Sequence, residues 1–299
     1  MRSIPANTLL PPKAPNLPVG PVEYNQQYID QLNNVLRLYF NELDNAFKLI
    51  AGSSQGGAYL RFPYGAFQDT TTQTALTNKA QVMRLNTTDQ SNGVSLGSHT
   101  ATFTGSIATT NLTVSAVASG PIYIGMTITG TGVAANTIVL SQTSGTSGST
   151  GVYVVSVSQT VASTTISGTI QSKISVDTPG IYNLQWSGQF QNTDNAIQDI
   201  NVWLRKDATG VGTDVTGSNG LIAIPARKSA SAGDEAHMII GWNYFVQLNA
   251  GDFVELWWLA TGTAGATSPV TLQAYSATSS VPSTASIIAT LSFVSAVPA

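Results

Sequence analysis

A heptad repeat near the N-terminus is the feature that most constrains how this chain folds. Between residues 24 and 50, apolar side chains recur at alternating spacings of three and four residues for about three heptads. This spacing predicts one long α-helix over residues 24–51, with an a/d seam that must be buried against another surface. We expect that surface to be the same helix in another copy of the chain. The seam residues are Ile29, Leu32, Leu36, Tyr39, Leu43, Ala46 and Ile50.

The composition is poor in charge. Of the 299 residues, 9% are charged, 42% are hydrophobic and the formal net charge is −3, whereas an average soluble domain has about 25% charged residues. Disordered chains combine low hydrophobicity with high net charge, so this composition indicates a folded protein. Hydroxyl and amide groups must therefore supply its polar surface, which favours an outward-facing assembly protein.

Several classes of site are not expected from the residue types present. The chain has no cysteine, which excludes disulfides and thiolate metal sites. Its two histidines, His99 and His237, are not part of a zinc-binding motif. A pI near 5.2 without clusters of Lys or Arg argues against nucleic-acid binding. We therefore expect no cofactor, no metal and no nucleic-acid partner.

The N-terminal residues lack the continuous apolar segment of a secretory signal. The sequence contains no run of 18 apolar residues, the length that would predict a transmembrane helix, so we expect no membrane insertion. A cysteine-free chain of this kind, without an export signal, is typical of a viral particle protein made in the host cytoplasm.

Residues 1–23 are rich in proline, which disfavours helices and sheet ladders and predicts an extended arm. The arm is either a solvated tail or a segment that lies in a groove of a neighbouring protein. Its apolar residues favour the groove: Ile4, Leu9, Leu10, Leu17 and Val19. After the helix, the Ser- and Gly-rich residues 52–58 predict a hinge.

Strand patterns dominate from residue 59 onward. Apolar and polar residues alternate, so Tyr182, Leu184 and Trp186 should share one face of a strand. Turn residues such as those at 177–180 and 249–252 separate the strands. About eight such strands predict a mainly β protein, an antiparallel sandwich of jelly-roll type.

Residues 97–170 differ from their surroundings, since they contain no Asp, Glu, Lys or Arg and are rich in Thr, Ser, Gly and Val. The flanking segments read as successive strands of one sandwich. We therefore predict a jelly-roll head over residues 59–96 and 171–299, with a small all-β module inserted at 97–170. The alternative is that residues 97–170 add further strands to the same sheet.

The strand segments carry a family resemblance. The pattern from YGAFQDTTTQTA through SKISVDTPGIYNLQWSGQFQ and HMIIGWNYFVQLNAGDFVELWW resembles a jelly-roll domain of tailed-bacteriophage structural proteins, especially phages of cyanobacteria and marine bacteria. Its layout is similar to the trimeric heads of tumour necrosis factor and complement proteins. The stretch PVEYNQQYIDQLNNVLRLYFNELDNAF looks like the stalk that precedes such heads, and residues 97–170 resemble a β module of phage surface proteins.

The resemblance implies a non-enzymatic homotrimer on the virion surface. The trimer follows from the head resemblance, because the seam alone does not decide between two and three helices. The implied partner is a major capsid or tail protein, to which the arm binds. The head would act either as a capsid decoration (cement) protein or as a head or tail fibre. The rival hypothesis is a carbohydrate-binding adhesin of bacterial origin that contacts a host-surface glycan.

Two groups of residues could carry chemistry. The carboxylates Asp234, Glu235, Asp252 and Glu255 could form the pair that hydrolyses glycosides, but their strand and turn contexts favour structural roles. The tryptophans could stack on sugars or serve the core and subunit contacts: Trp186, Trp203, Trp242, Trp257 and Trp258.

The adjacent pair Trp257 and Trp258 must face opposite sides of its strand. One ring should lie in the core and the other at a subunit interface or exposed. With His237, which begins an apolar strand and could ring a three-fold axis, these two residues are the candidate trimer contacts of the head.

Overall fold

The computed structural model forms two compact units, Met1–Arg61 and Phe62–Ala299. The predicted hinge at 52–58 and the arm residues Ile4, Leu9 and Leu10 lie outside the described residues. The structure describes residues 13–51, 62–207, 212–229, 231, 233–262 and 267–296.

The first unit contains one helix, α1 (Gln26–Ala51), among its described residues. Asn25 caps its start, because the Asn25 Oδ1 atom accepts a hydrogen bond of 3.1 Å from the Tyr28 backbone N–H. The six seam residues from Ile29 to Ala46 are half-buried, and most of their neighbours are exposed. The Ile50 side chain lies outside the description. The helix thus has the amphipathic character that the heptad repeat predicts.

The second unit is built from sixteen strands in its described residues. They are β1 (Tyr64–Asp69), β2 (Gln73–Leu76), β3 (Gln81–Val82), β4 (Thr87–Asn92), β5 (Val94–Ser119), β6 (Thr127–Gly130), β7 (Thr137–Gly145), β8 (Gly151–Val176), β9 (Gly180–Asn192), β10 (Gln198–Asp207), β11 (Thr213–Asp214), β12 (Gly220–Ile224), β13 (Ala236–Leu248), β14 (Phe253–Ala260), β15 (Thr267–Leu272) and β16 (Ile287–Ser295).

These strands form two antiparallel sheets. In the first sheet the neighbours are β13, β9, β16, β1 and β4, in that order, and β2 and β15 extend the sheet at the end of β9. In the second sheet the neighbours are β12, β10, β14, β8 and β5. The prediction of a mainly β, antiparallel protein with a helix near the N-terminus is confirmed.

The two sheets pack face to face around the first hydrophobic core. Alternation along β9 places Tyr182, Leu184 and Trp186 in this core, as the sequence pattern predicts. The second sheet contributes the inward residues of β10 and β14, including Leu204 and Trp258. The arrangement is that of a β-sandwich.

A second hydrophobic core lies within residues 97–170. It is formed by side chains of β5, β6, β7 and β8 and by Ile122 and Met126 between β5 and β6, and it extends to Val82 and Trp257 on the second sheet. Strands β5 and β8 run without interruption past positions 97 and 170, so this segment continues the second sheet while enclosing a core of its own. The pairings of β6 and β7 with the opposite edge of β8 close the module.

One further property of the fold concerns membranes. Within the parts of the chain that the structure describes, no helix combines the length and the apolarity that crossing a membrane requires.

Candidate functional site

The outward face of the second sheet carries a group of aromatic and polar side chains that contact one another. Along β10, Val202 and Leu204 point into the first core, so the residues between and beside them point outward. These outward residues are Asn201, Trp203 and Arg205, and all three are half-buried. The sheet register places Trp203 opposite Trp257 and Arg205 opposite Glu255.

Arg205 links these side chains. Its guanidinium carbon lies 3.8 Å from the centroid of the Trp257 ring, a cation–π contact. Its Nε–H donates a 2.9 Å hydrogen bond to Asp214 Oδ1. The register of β10 and β11 pairs the two residues directly. Arg205 therefore couples the aromatic cluster to the carboxylate at the edge of the sheet.

Asp214 also fixes Trp203, whose indole N–H donates a 2.8 Å hydrogen bond to Asp214 Oδ1. Partial burial acts to raise the pKa of Asp214, but the hydrogen bonds from Arg205 and Trp203 and the charge of Arg205 hold that pKa below its ordinary value. The carboxylate is therefore ionised at neutral pH.

A buried polar network lies beside this cluster. Glu255 Oε1 is 2.7 Å from His99 Nε2 and accepts a 2.6 Å hydrogen bond from the Ser172 hydroxyl. The Trp257 indole N–H donates to Glu255 Oε2 at 3.3 Å. Since the side chain of Glu255 is 1% exposed, the network joins β14 to β5 and β8 rather than facing a cleft. The structural role that its sequence context favours matches this position.

The other candidate carboxylates also have local partners. Asp252 Oδ2 accepts hydrogen bonds from the backbone and side-chain nitrogens of Asn249, at 2.8 and 3.1 Å, across the turn before β14. Asp234 accepts a hydrogen bond from Ser229. Among the described residues, no group of His, Asp and Glu side chains is arranged to hold a metal ion.

The tryptophan pair behaves differently from the sequence expectation in one respect. The two rings do face opposite sides of β14, with Trp258 in the first core and Trp257 in the second. Neither is exposed, however, since Trp258 is 0% and Trp257 is 4% accessible. The expectation of an exposed or interfacial ring is therefore wrong. Residues 97–170 cover the outward face of β14, and the residue pattern of β14 itself does not indicate this contact.

The remaining predicted site residues occupy three separate places. The helix seam and the arm residues Leu17 and Val19 belong to the first unit, where both arm residues are exposed. His237 begins β13 at the edge of the first sheet, exposed, with its Nδ1 atom 3.5 Å from the Tyr275 hydroxyl.

A shallow recess lies next to Trp203. Its volume is about 330 Å³, and its lining includes Trp203, Asp214, Asn201 and Asn219. Sequence reasoning did not assign a role to Asn201, Asp214 or Asn219. The only signal that the sequence offers for them is the polar turn before β12, which indicates a break between strands and no binding role.

The comparisons with known proteins give little further information. Neither the protein-family models nor the curated proteins match this sequence. Among solved structures, the structure of Eiger TNF from S. frugiperda is similar at 15% sequence identity and a TM-score of 0.28. The match covers 42% of this chain and 67% of that chain.

Proposed function

We propose that this chain is a homotrimeric structural protein of a bacteriophage virion. Its N-terminal arm attaches it to the particle, α1 trimerises as a stalk, and the β unit is displayed outward. The head acts either as a capsid decoration protein or as a head or tail fibre. The observation that carries the proposal is the apolar surface of α1.

The apolar stripe of α1 is wider than the a/d seam. Phe40 and Phe47 occupy e positions and are each 59% exposed, and Tyr28 and Val35 occupy g positions. The e and g positions of two-stranded coiled coils are usually charged. A stripe broadened by aromatic and aliphatic flanks supports a bundle of more than two helices, because a third helix would cover the flanking residues.

The described part of the arm supports attachment to a partner. Residues 13–25 have no helix or strand, and Val19 is 94% exposed. The Tyr28 hydroxyl donates a 3.2 Å hydrogen bond to the Pro18 carbonyl, which ties the arm to the first turn of α1. Exposed apolar side chains on an extended, proline-stiffened segment suit a groove on another protein.

We further propose that the sandwich is a jelly roll. Each sheet has four main strands once the other short strands and those of the module are set aside. The order is β1, β16, β9, β13 in the first sheet and β8, β14, β10, β12 in the second. The chain crosses between the sheets from β8 to β9, from β9 to β10, from β12 to β13 and from β13 to β14. Two four-stranded sheets with such crossings support two interlocked Greek keys.

The outward face of the first sheet supports contacts between heads. Along β13, His237, Ile239 and Phe245 point outward, and the latter two are among the exposed large apolar side chains. Neighbouring outward positions on β9, such as Gln185 and Gln189, are uncharged amides. These apolar groups and amides of β13 and β9 can pack against copies of themselves without burying unpaired ions.

The experiment that tests this function is cryo-electron microscopy of purified phage particles from infected cells that make the protein, with averaging at the capsid and at the tail. Density for the β unit at three-fold positions over the capsid supports decoration. Density at the tail or at a single vertex supports a fibre. Absence of the protein from purified particles contradicts the virion role.

A second candidate function is the binding of a host-surface glycan. The observation that favours it is the Trp203 recess, because sugar sites commonly combine an aromatic ring with fixed polar groups. This function is compatible with display on a fibre, and it also suits an adhesin outside a virion.

A further inference from the structure

The recess beside Trp203 has the features of a built binding site. Its side chains come from three elements: Asn201 and Trp203 from β10, Asp214 from β11, and Asn219 from the turn before β12. Its volume of about 330 Å³ is at the small end of ligand pockets, which span roughly 300–1,000 Å³. It is also shallow, so a ligand would keep part of its surface in solvent.

The aromatic member of the site is held in one orientation. Trp203 donates its indole N–H to Asp214 at 2.8 Å, and its ring centroid lies 6.4 Å from that of Trp257. Arg205 in turn fixes the Asp214 carboxylate. A ring held on several sides loses little conformational freedom on binding, which lowers the cost of stacking a ligand against it.

The polar members offer both donors and acceptors. Asn219 Nδ2 donates a 3.0 Å hydrogen bond to Asn201 Oδ1, which orients both amides. Among the described residues, Asn201 Nδ2, Asn219 Oδ1 and Asp214 Oδ2 form no hydrogen bond. One donor group and two acceptor atoms thus lie beside an aromatic ring, and hydroxyl groups can pair with both kinds.

The charge of the site selects against anions. The Asp214 side chain is 57% exposed, so its carboxylate is open to the space that a ligand in the recess would occupy. The nearby cation, Arg205, is engaged by this carboxylate and covers the Trp257 ring. An acidic ligand would therefore meet a negative group without a free positive partner.

We propose that this recess binds a neutral pyranose, with an apolar face of the sugar ring against Trp203 and its hydroxyl groups on Asn201, Asn219 and Asp214. The proposal rests on the second candidate function and names its ligand class and its site. It does not depend on the virion role.

The test is saturation-transfer NMR on the full chain with five separate probes: glucose, galactose, mannose, N-acetylglucosamine and glucuronic acid. Glucuronic acid is the charged counterpart of glucose. We expect at least one neutral sugar to bind with a Kd on the order of 1 mM, and glucuronic acid to bind more weakly than glucose. Loss of a hydrogen bond in Asn219→Ala should weaken binding about tenfold.

Two further variants make the test specific. Asn243→Ala removes an exposed amide from β13 on the other sheet and should leave binding unchanged. Asp214→Asn keeps the shape of the side chain and removes its charge, so it should raise the affinity for glucuronic acid relative to glucose.

Each contrary result has a distinct meaning. If glucuronic acid alone binds, the carbohydrate-binding function stands and the neutral class is wrong. If a neutral sugar binds equally well to Asn219→Ala, the sugar site is not this recess. If none of the five probes binds at about 50 mM, the recess and the second candidate function both fail, while the virion role is untouched.

Discussion

The helix and the β unit differ in how far they bury their apolar residues. The β unit buries many large aliphatic and aromatic side chains in two cores, with Trp258 of β14 in one and Trp257 in the other, although Ile239 and Phe245 on β13 stay exposed. In α1 the seam is half-buried and Phe40 and Phe47 stay exposed. The β unit can therefore be stable as a single chain, whereas we propose that the helix buries its stripe against partner helices.

The largest effect is expected when the seam is made polar. In the double variant Leu36→Asp/Leu43→Asp, each chain should lose roughly 3–6 kcal/mol of seam burial, in addition to the cost of burying charge. We expect sedimentation velocity to show loss of the oligomer, and circular dichroism to show loss of helix.

The control is Asn34→Asp/Asn41→Asp, which adds the same two charges at exposed f positions of the same helix. It should leave the mass unchanged. If the seam variant remains helical and associated, the heptad assignment is wrong. The thermal unfolding of the β unit should be similar in both variants, since its cores are closed within the chain.

The next largest effect concerns the two cores. Trp258→Ala should lower the free energy of unfolding of the β unit by about 3–5 kcal/mol, because it leaves a large cavity in the first core. Trp257→Ala should instead loosen the module. Hydrogen exchange should then accelerate over residues 97–170 while strands β9 and β16 remain protected. Equal acceleration in both regions would show that the two cores unfold as one.

A smaller effect is expected at the polar link between the cores. Glu255→Gln replaces a carboxyl group that accepts hydrogen bonds from Ser172 and Trp257 and lies 2.7 Å from His99 Nε2, so the amide must present a donor to one of these partner groups. We expect a loss of roughly 2 kcal/mol in the free energy of unfolding, measured by urea denaturation. The matched change Glu235→Gln, outside both cores, should cost far less. An unchanged free energy of unfolding in Glu255→Gln would show that this network does not help to hold the module on the second sheet.

The smallest effect is a pH dependence within the module. Burial raises the pKa of Tyr153 to about 12, so the fold favours the neutral phenol. Its contribution to stability is complete below the ordinary pKa of 10 and is lost as the pH rises toward 12.

Tyr153→Phe tests this dependence. The variant loses the hydrogen bond to the Ser149 carbonyl, which should cost about 1 kcal/mol at neutral pH. The variant should also lose less stability than the native chain between pH 10 and pH 12. Parallel stability curves for the two proteins over that range would contradict the role of burial.

Local periodicity predicted much of the fold. The three-four spacing located α1 to within two residues at its start, and period-two alternation assigned the buried face of Tyr182, Leu184 and Trp186. Both patterns are dictated by the geometry of a single element, so they can be recognised without knowledge of the neighbours.

The candidate site could not be predicted in the same way. Trp257 is buried by a module that begins 160 residues earlier in the chain, at residue 97. The sequence of β14 does not indicate that the module packs against it. The Trp203 recess depends on the register that brings Asp214 beside Arg205 and on the turn that carries Asn219. The register between strands depends on tertiary contacts. The sequence therefore places these residues only in turns and at strand ends, without showing which of them meet.

We propose that α1 joins three copies of the chain. The most direct test of this proposal is the mass of the full chain in solution, measured by sedimentation equilibrium across a range of concentrations. We expect a species with three times the 31.2 kDa mass of the chain. A mass of one or two chains throughout the range would contradict it.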